Sequence, residues 1–295
     1  MKNKRKKHKA TLLVLVIILA FMAGLIYRDN TLLTVSHYTV KSERLPQAFN
    51  AFRILQLSDL HSASFGEDNT NLLAEMEAQN PHIVVLTGDM VNTGDEDFDV
   101  FLTFANALGR LYDTYYIVGN HEQNLEEDKQ QGLLKEITDM GITVLDNEKL
   151  ELDRNGDKID LYGMWFNLRY YKDSGNPHTK DISFDADTME KIMGSKNSTR
   201  FSLLLTHNPL YFNTYAQWGA DLTLAGHIHG GMIRIPFVGG LLSPEREFFS
   251  KYSEGQYFID TKSMIVNRGL GNGDFGIRLF NRPEISVITL LKDGQ

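Results

Sequence analysis

Phe52-Arg53-Ile54-Leu55-Gln56-Leu57, running on into Ser58-Asp59-Leu60-His61, is the stretch whose reading decides the fold. The first six residues form a short apolar run with a β-branched member, which reads as a buried strand. Asp59 and His61 stand just past its C-terminal end. The same pattern recurs four times. Ile83-Val84-Val85-Leu86 leads to Gly88-Asp89, and Tyr115-Tyr116-Ile117-Val118 leads to Gly119-Asn120-His121-Glu122. Phe201-Ser202-Leu203-Leu204-Leu205 leads to Thr206-His207, and Asp221-Leu222-Thr223-Leu224 leads to Gly226-His227-Ile228-His229. Taken singly these motifs are weak, since Gly-Asp is ordinarily a turn and Asp-x-His a turn with a surface histidine. Their shared setting carries the weight, because α/β sheets bind ligands beyond the carboxyl ends of their strands.

Between these strands, helical periodicity predicts helices over Asn69–Gln79, Phe98–Leu111 and Leu125–Met140, with Asp68 or Asn69 capping the first and Asp95 or Asp97 the second. Arg154-Asn155-Gly156-Asp157 reads as a hairpin turn. Phe166–Thr199 reads as an exposed loop with a Ser-Gly-Asn-Pro turn and one short helix near Thr188–Met193. A strand-rich tail follows, at Met232–Ile235, Gln256–Ile259, Met264–Asn267 and Ser286–Leu291. Strand–helix alternation followed by runs of strands predicts an α/β (α+β) domain with two facing mixed sheets and helices outside. No second domain boundary is visible.

The N-terminus is unlike the rest. Lys2, Lys4, Arg5, Lys6, Lys7 and Lys9 precede Ala10–Tyr27, a run without charge and rich in Leu, Ile and Val. As a helix this run spans roughly 27 Å, close to the roughly 30 Å of a hydrocarbon core. A transmembrane anchor and a cleaved signal peptide compete. The length of the run and Phe21, which spoils an Ala-x-Ala site ending at Ala23, favour the anchor. No twin-arginine pair is present. The lysines would stay in the cytoplasm, placing the rest of the chain outside. Thr31–Pro46 reads as a linker merging into an edge strand. Beyond Arg28 there are 23 basic against 38 acidic residues, a formal charge of −15. Such a surface repels a nucleic-acid backbone, so no nucleic-acid partner is expected. The absence of cysteine excludes disulfides and thiolate ligands.

The motifs hold three oxygen donors, Asp59, Asp89 and Asn120, and five of the nine histidines. Oxygen and imidazole donors without sulfur suit a paired divalent-metal site, with Mn, Zn or Fe favoured over Mg by the imidazole count. The ordered set resembles the calcineurin-like metallophosphoesterase superfamily from about Val40 to Leu291. Gly226-His227-Ile228-His229-Gly230-Gly231, Arg268-Gly269-Leu270-Gly271 and Asn281-Arg282-Pro283-Glu284 are similar to its bacterial branch of membrane-associated or exported phosphodiesterases. One departure is Met232, where many relatives carry glutamine.

That resemblance implies a four-layer αββα sandwich and two divalent metal ions. Asp59, His61 and His229 would hold one ion, Asn120, His207 and His227 the other, with Asp89 bridging. A metal-bridging hydroxide would attack phosphorus while His121 protonates the leaving oxygen. Glu122 would orient the His121 ring or lie on the surface. The implied organisation is a basic cytoplasmic tail (1–9), a transmembrane anchor (10–27), a linker and edge strand (28–45), and a metallophosphoesterase domain (46–295). The implied protein is a single-pass cytoplasmic-membrane phosphodiesterase or pyrophosphatase with an extracytoplasmic catalytic domain, acting on a phosphate ester that is lipid- or envelope-linked. A phosphomonoesterase and a non-catalytic metal-binding scaffold are the alternatives. Outside the ligand set, Arg234 would touch a substrate phosphate or form a salt bridge. Gly230-Gly231 would let backbone pass close to the metals. Ile235–Leu242 is apolar enough for a packed hairpin or an acyl-chain contact. His8, His37, His82, His178, Trp165 and Trp218 fall outside the motifs and read as ordinary surface or core residues.

Overall fold

A computed structural model describes residues 2–171, 184–196, 199–243, 248–273 and 276–294. The chain runs through α1 (Lys2–Thr31), β1 (Thr34–Ser42), β2 (Phe52–Leu57), α2 (Thr70–Gln79), β3 (Ile83–Leu86), α3 (Asp99–Leu111) and β4 (Thr114–Tyr116). It continues through α4 (Asn120–Gln123), α5 (Glu127–Asp139), β5 (Thr143–Val144), β6 (Glu148–Arg154) and β7 (Asp157–Met164). Then come α6 (Ala186–Met193), β8 (Ser202–Thr206), α7 (Phe212–Trp218), β9 (Leu222–Ala225), β10 (Arg234–Ile235) and β11 (Gly239–Gly240). The tail holds β12 (Gly255–Ile259), β13 (Lys262–Val266) and β14 (Glu284–Lys292).

Two six-stranded mixed sheets result, in the orders β1-β14-β2-β3-β4-β5 and β12-β13-β9-β8-β7-β6. Alternation along each strand shows how they stack, because successive side chains point to opposite faces. On β2 and β3, Ile54, Ile83 and Val85 join a core shared with Leu203 and Leu205 of β8 and Leu222 and Leu224 of β9. That core lies between the sheets. The alternate residues Leu55, Leu57, Val84 and Leu86 face Leu72 and Met76 of α2, Phe101 and Phe104 of α3, and Leu133 and Ile137 of α5. On the far side, Tyr162, Met164 and Leu204 pack against Met189 of α6 and Tyr215 and Trp218 of α7. Helix, sheet, sheet and helix therefore follow in order, the expected αββα sandwich. Strands buried on both faces are continuous apolar runs for this reason.

Three local expectations are corrected. Asn69 is left-handed (φ 59°) and does not cap α2 with its side chain, because its carboxamide accepts the Phe65 N–H at 2.9 Å. Asp95 is likewise drawn away from α3, accepting from Ser62 Oγ and Asn92 N, which leaves Asp97 to accept the N–H of Asp99, the first residue of α3, at 3.2 Å. In the Phe166–Thr199 stretch, Phe166, Tyr170, Tyr171 and Phe184 are buried in the aromatic cluster over the second sheet, so the described part is not an exposed loop. The Ser174–Pro177 turn and His178 lie outside the described residues.

The N-terminal helix is long and apolar enough to cross a membrane over His8–Thr31, and none of its apolar window is buried in the molecule. It runs to Thr31, and only Leu32 and Leu33 separate it from β1. The expected linker and edge strand over 28–45 is thus the helix end followed by a nine-residue edge strand paired with β14 from Thr34↔Glu284 to Ser42↔Lys292. Polar side chains in the last helical turn fix this junction. Asp29, fully buried, accepts the Phe280 N–H at 2.5 Å. The Asn30 carboxamide donates to Arg278 O at 3.1 Å and accepts from Arg278 N at 3.2 Å.

Candidate metal centre

All seven candidate ligands stand just beyond β2, β3, β4, β8 and β9, and the segments after these strands are tied together by backbone bonds. Asp59 N donates to Gly88 O, His61 N to Asp89 O and Gly226 N to His207 O, at 2.9, 3.1 and 3.0 Å. Five of the seven have left-handed backbones: Asp59 (φ 51°), His61 (48°), Asp89 (55°), His227 (70°) and His229 (52°). Each such conformation costs of order 1–3 kcal/mol in a non-glycine residue and persists where the surroundings over-determine it. Glycines permit the close approaches. A Cβ on Gly119 would overlap Asp89 Oδ1, and one on Gly226 would overlap Ser58 Oγ and crowd Asp59.

Donor atoms converge in overlapping groups. One atom each from Asp59, His61 and His229 lie within 4.8 Å of one another, as do those of Asp89, His207 and His227. His61, Asp89 and His121 form a third group. Asn120 Oδ1 is buried and has no hydrogen-bond partner.

Hydrogen bonds assign the free lone pairs. His207 Nδ1 lies 2.6 Å from the Thr87 carbonyl, which can only accept, so Nδ1 carries a proton and Nε2 is the acceptor of the neutral ring. That Nε2 faces Asp89 Oδ2 at 3.0 Å without hydrogen-bond geometry. Asn92 Nδ2 donates to His61 O and Asp95, which turns its Oδ1 toward His61 Nδ1 at 2.8 Å. His61 Nε2 is thereby left as an acceptor as well, 3.2 Å from His229 Nε2 and 4.0 Å from Asp89 Oδ2. Outer partners that orient ligating imidazoles in this way accompany most metal sites. Acceptors turned on one another need a proton or cation between them, so the donor set fits divalent metals.

Electrostatics carry the same message. Burial opposes the Asp89 charge, yet His207, His121 and His61 outweigh it and hold the carboxyl well below the usual range. Burial also opposes a charged His207, but Asp89 beside it lifts that ring to about 10. Burial pushes His61 down, and pushes His229 well down with help from His61 and Arg278.

Several residues serve the site differently from expectation. Glu122 does not orient His121, nor is it on the surface. It is fully buried, and its carboxylate accepts the N–H groups of Asp89, Met90 and Gly119 at 2.9, 2.6 and 2.9 Å. Burial and the Asp89 charge push its carboxyl up to about 7. The His121 ring is instead held by the Thr93 N–H, which donates to its Nδ1 at 3.2 Å. Nε2 then carries the proton in the neutral ring. Arg234 takes the salt-bridge alternative, pairing with Glu254 while donating to Gly230 O at 2.9 Å. Gly231 makes its close approach to the Gly240 backbone and Gly230 to Asn281 and Arg268, rather than to the ligand cluster. Arg278 was not anticipated. Fully buried, it reaches within 3.4 Å of His229 Nδ1 and donates to Arg268 O at 2.9 Å; burial brings it down to about 10. No motif or period in the sequence marks it.

Residues 52–231 match the family model of the calcineurin-like phosphoesterases. The metallophosphoesterase YkuE of Bacillus subtilis is 27% identical over 269 residues, covering 90% of this chain and 87% of its own. The phosphodiesterase YaeI of Escherichia coli is 27% identical over 245 residues, covering 81% and 82%. Among solved structures, the phosphopantetheinyl hydrolase PptH of Mycobacterium tuberculosis aligns with a TM-score of 0.47 at 11% identity, covering 78% of this chain and 96% of that one.

Proposed function

The chain belongs to the calcineurin-like phosphoesterase family, and from that premise we propose that this metallophosphoesterase is a phosphodiesterase or pyrophosphatase anchored by α1 at the outer face of a cytoplasmic membrane. The single observation that carries the metal-centred reading is the buried pair His207 Nε2 and Asp89 Oδ2, 3.0 Å apart, between which only a second proton or a cation can sit because the Nδ1 proton is committed to the Thr87 carbonyl. Asp59, His61 and His229 would hold one divalent cation and Asn120, His207 and His227 the other, with Asp89 reaching both. Only a carboxylate has two equivalent anionic oxygens for that bridging position. Mn, Zn or Fe suits this nitrogen-rich set better than Mg. The bound pair would acidify the attacking water and neutralise the phosphoryl oxygens.

The chain's own residues do the rest. The Thr93 N–H orients the neutral His121 ring through Nδ1, and after taking up a second proton the imidazolium would release one to the leaving oxygen and return to the neutral ring. Asn92 and the Thr87 carbonyl hold the His61 and His207 rings with Nε2 inward. Glu122 gathers the backbone N–H groups of the Asp89 segment, so the bridging carboxylate is positioned by a buried anchor 33 residues away in sequence. The diester preference is supported by the relative named a phosphodiesterase.

Exhaustive chelation of purified protein should abolish hydrolysis of a chromogenic phosphodiester, and Mn or Zn should restore it. Turnover that survives chelation would sink the binuclear reading, while a matched monoester cleaved faster than the diester would replace the diester preference. The anchor reading predicts that intact protein stays with membranes through an alkaline carbonate wash. External protease should release a fragment of the catalytic domain's size, since the lysine-rich end remains cytoplasmic. A shortened, soluble mature protein would instead mean that the segment is a signal peptide.

A further inference from the structure

Among the described residues past Leu33, nine large apolar side chains are exposed: Leu111, Phe258 and seven others. Those seven fall within 235–238, 248–249 and 277–280. Phe237 is completely bare, Phe248 is 69% exposed and Val238 62%, with Phe249, Ile277 and Phe280 each above 40%. A domain this acidic has polar residues to spare, so the clustering of its bare apolar ones in three short segments requires a partner.

The three segments are one surface. Arg234 N donates to Leu279 O at 2.9 Å, and Ile233 bridges to Leu279, which joins the β10–β11 hairpin to the 277–280 loop. Phe249 N donates to Leu241 O at 3.1 Å and Leu242 bridges to Phe248, which adds the third segment. The surface is also continuous with the end of α1. Phe280 N–H is bonded to Asp29, and Arg278 on both sides of its peptide to Asn30. Ile26 and Tyr27, the last apolar residues of the helix, lie one turn earlier, about 5 Å along its axis. With only Leu32 and Leu33 before β1, no spacer separates the medium around α1 from this patch.

We propose that the 235–238, 248–249 and 277–280 segments form a second contact with the lipid bilayer, their aromatic side chains entering the headgroup and acyl boundary beside α1. The inference rests on the reading of α1 as a membrane anchor. Aromatic and aliphatic side chains at the end of a membrane helix are suited to that boundary. The hairpin springs from the segment that carries His227 and His229, and the 277–280 loop is tied to it through Asn281, which donates to His229 O at 2.6 Å. Membrane contact here therefore holds the metal site against the lipid surface and directs it to phosphoesters borne by lipid. The unassigned apolar run Ile235–Leu242 is accounted for as a lipid contact rather than a packed hairpin.

The test uses the full chain in vesicles of phosphatidylethanolamine and phosphatidylglycerol carrying brominated acyl chains. Single tryptophans are introduced by Phe237→Trp, Phe21→Trp and Phe258→Trp, and the emission from Trp165 and Trp218 is subtracted using the parent protein. Phe237→Trp should shift to shorter wavelength and lose about half of its added emission to the brominated lipid, as expected for a side chain about 5–10 Å into the boundary. Phe21→Trp should be quenched at least as strongly and Phe258→Trp left unquenched. Quenching of Phe21→Trp without Phe237→Trp overturns the inference while the anchor stands. Loss of both quenching signals overturns the anchor and the inference together. Equal quenching of Phe237→Trp and Phe258→Trp removes the localised surface. A blue shift without lipid quenching that grows with protein density assigns the patch to a second copy of the chain.

Discussion

Asp89→Asn is expected to lower divalent-metal affinity at both positions by at least about 100-fold, since loss of a mere outer partner already costs roughly 10–100-fold. Turnover of a phosphodiester should fall by at least about a thousandfold, roughly 4 kcal/mol of lost transition-state stabilisation. The physical reason is local. Asp89 is buried among His207, His61 and His121, and its charge is the one that holds His207 up at about 10. The carboxamide keeps the size and the hydrogen bond from His121 N, which reaches Asp89 Oδ1 at 2.8 Å, but it has one oxygen and no charge. Its NH2 can donate to His207 Nε2, 3.0 Å away, and so fill the gap a cation would otherwise occupy. The metal-free variant loses the charge that keeps His207 protonated, however, and should melt below the metal-free parent. Isothermal titration with Mn or Zn, read beside thermal unfolding, checks this. Undiminished binding at one metal position would remove Asp89 from the bridging role.

His121→Ala should leave metal content near that of the parent while kcat falls by about 10²–10⁴-fold, the usual worth of a positioned acid. His121 also stands with His61 and Asp89 in one of the convergent donor groups, so a ligand role has to be separated from a proton-donor role. Metal analysis does this directly: metal lost in proportion to activity would make His121 a ligand or support. Leaving-group dependence does it independently. An ester whose leaving oxygen needs no proton should recover much of the lost rate. The bond from Thr93 N–H to Nδ1 predicts which nitrogen acts. Removing Thr93's hydroxyl alone should matter little, because the backbone N–H remains.

The bearing of Glu122 on both predictions lies in its position. Its carboxylate caps the turn at Gly119 and simultaneously binds the N–H groups of Asp89 and Met90. One side chain thereby locks the Asp89 carboxylate and the Asn120–His121 pair in a common frame. The 278–281 segment does something similar on the other flank, where Arg278 and Asn281 reach His229 and its carbonyl while Asp29 and Asn30 tie that segment to α1.

What the sequence determined by itself was whatever is encoded locally. Apolar runs such as Ile83–Leu86 and Leu203–Leu205 announced strands buried on both faces, because burial on alternate sides leaves no polar position within them. Polar residues at the ends of five such runs announced the seven candidate ligands and His121, since sheet strands deliver their ends to one edge. The charge-free stretch Ala10–Tyr27 announced a helix long and apolar enough to span a membrane. Only the tertiary structure decided which polar group serves which. Glu122 beside His121 in sequence turns instead to a loop about 30 residues earlier, because three N–H groups there, and that of Gly119, would otherwise go unpaired. Asn92, Thr93 and Arg278 acquire their places through partners 28 to 49 residues away, a distance over which no spacing pattern survives. Thr34–Ser42 is the edge strand its half-polar pattern suggested, but that its partner is β14, from the other end of the chain, was decided only in three dimensions. Phe166, Tyr170, Tyr171 and Phe184, scattered in a polar stretch, looked exposed until the second sheet gave them one surface to cover. Local periodicity reports which faces are apolar, while the identity of the facing group is settled only when distant segments meet.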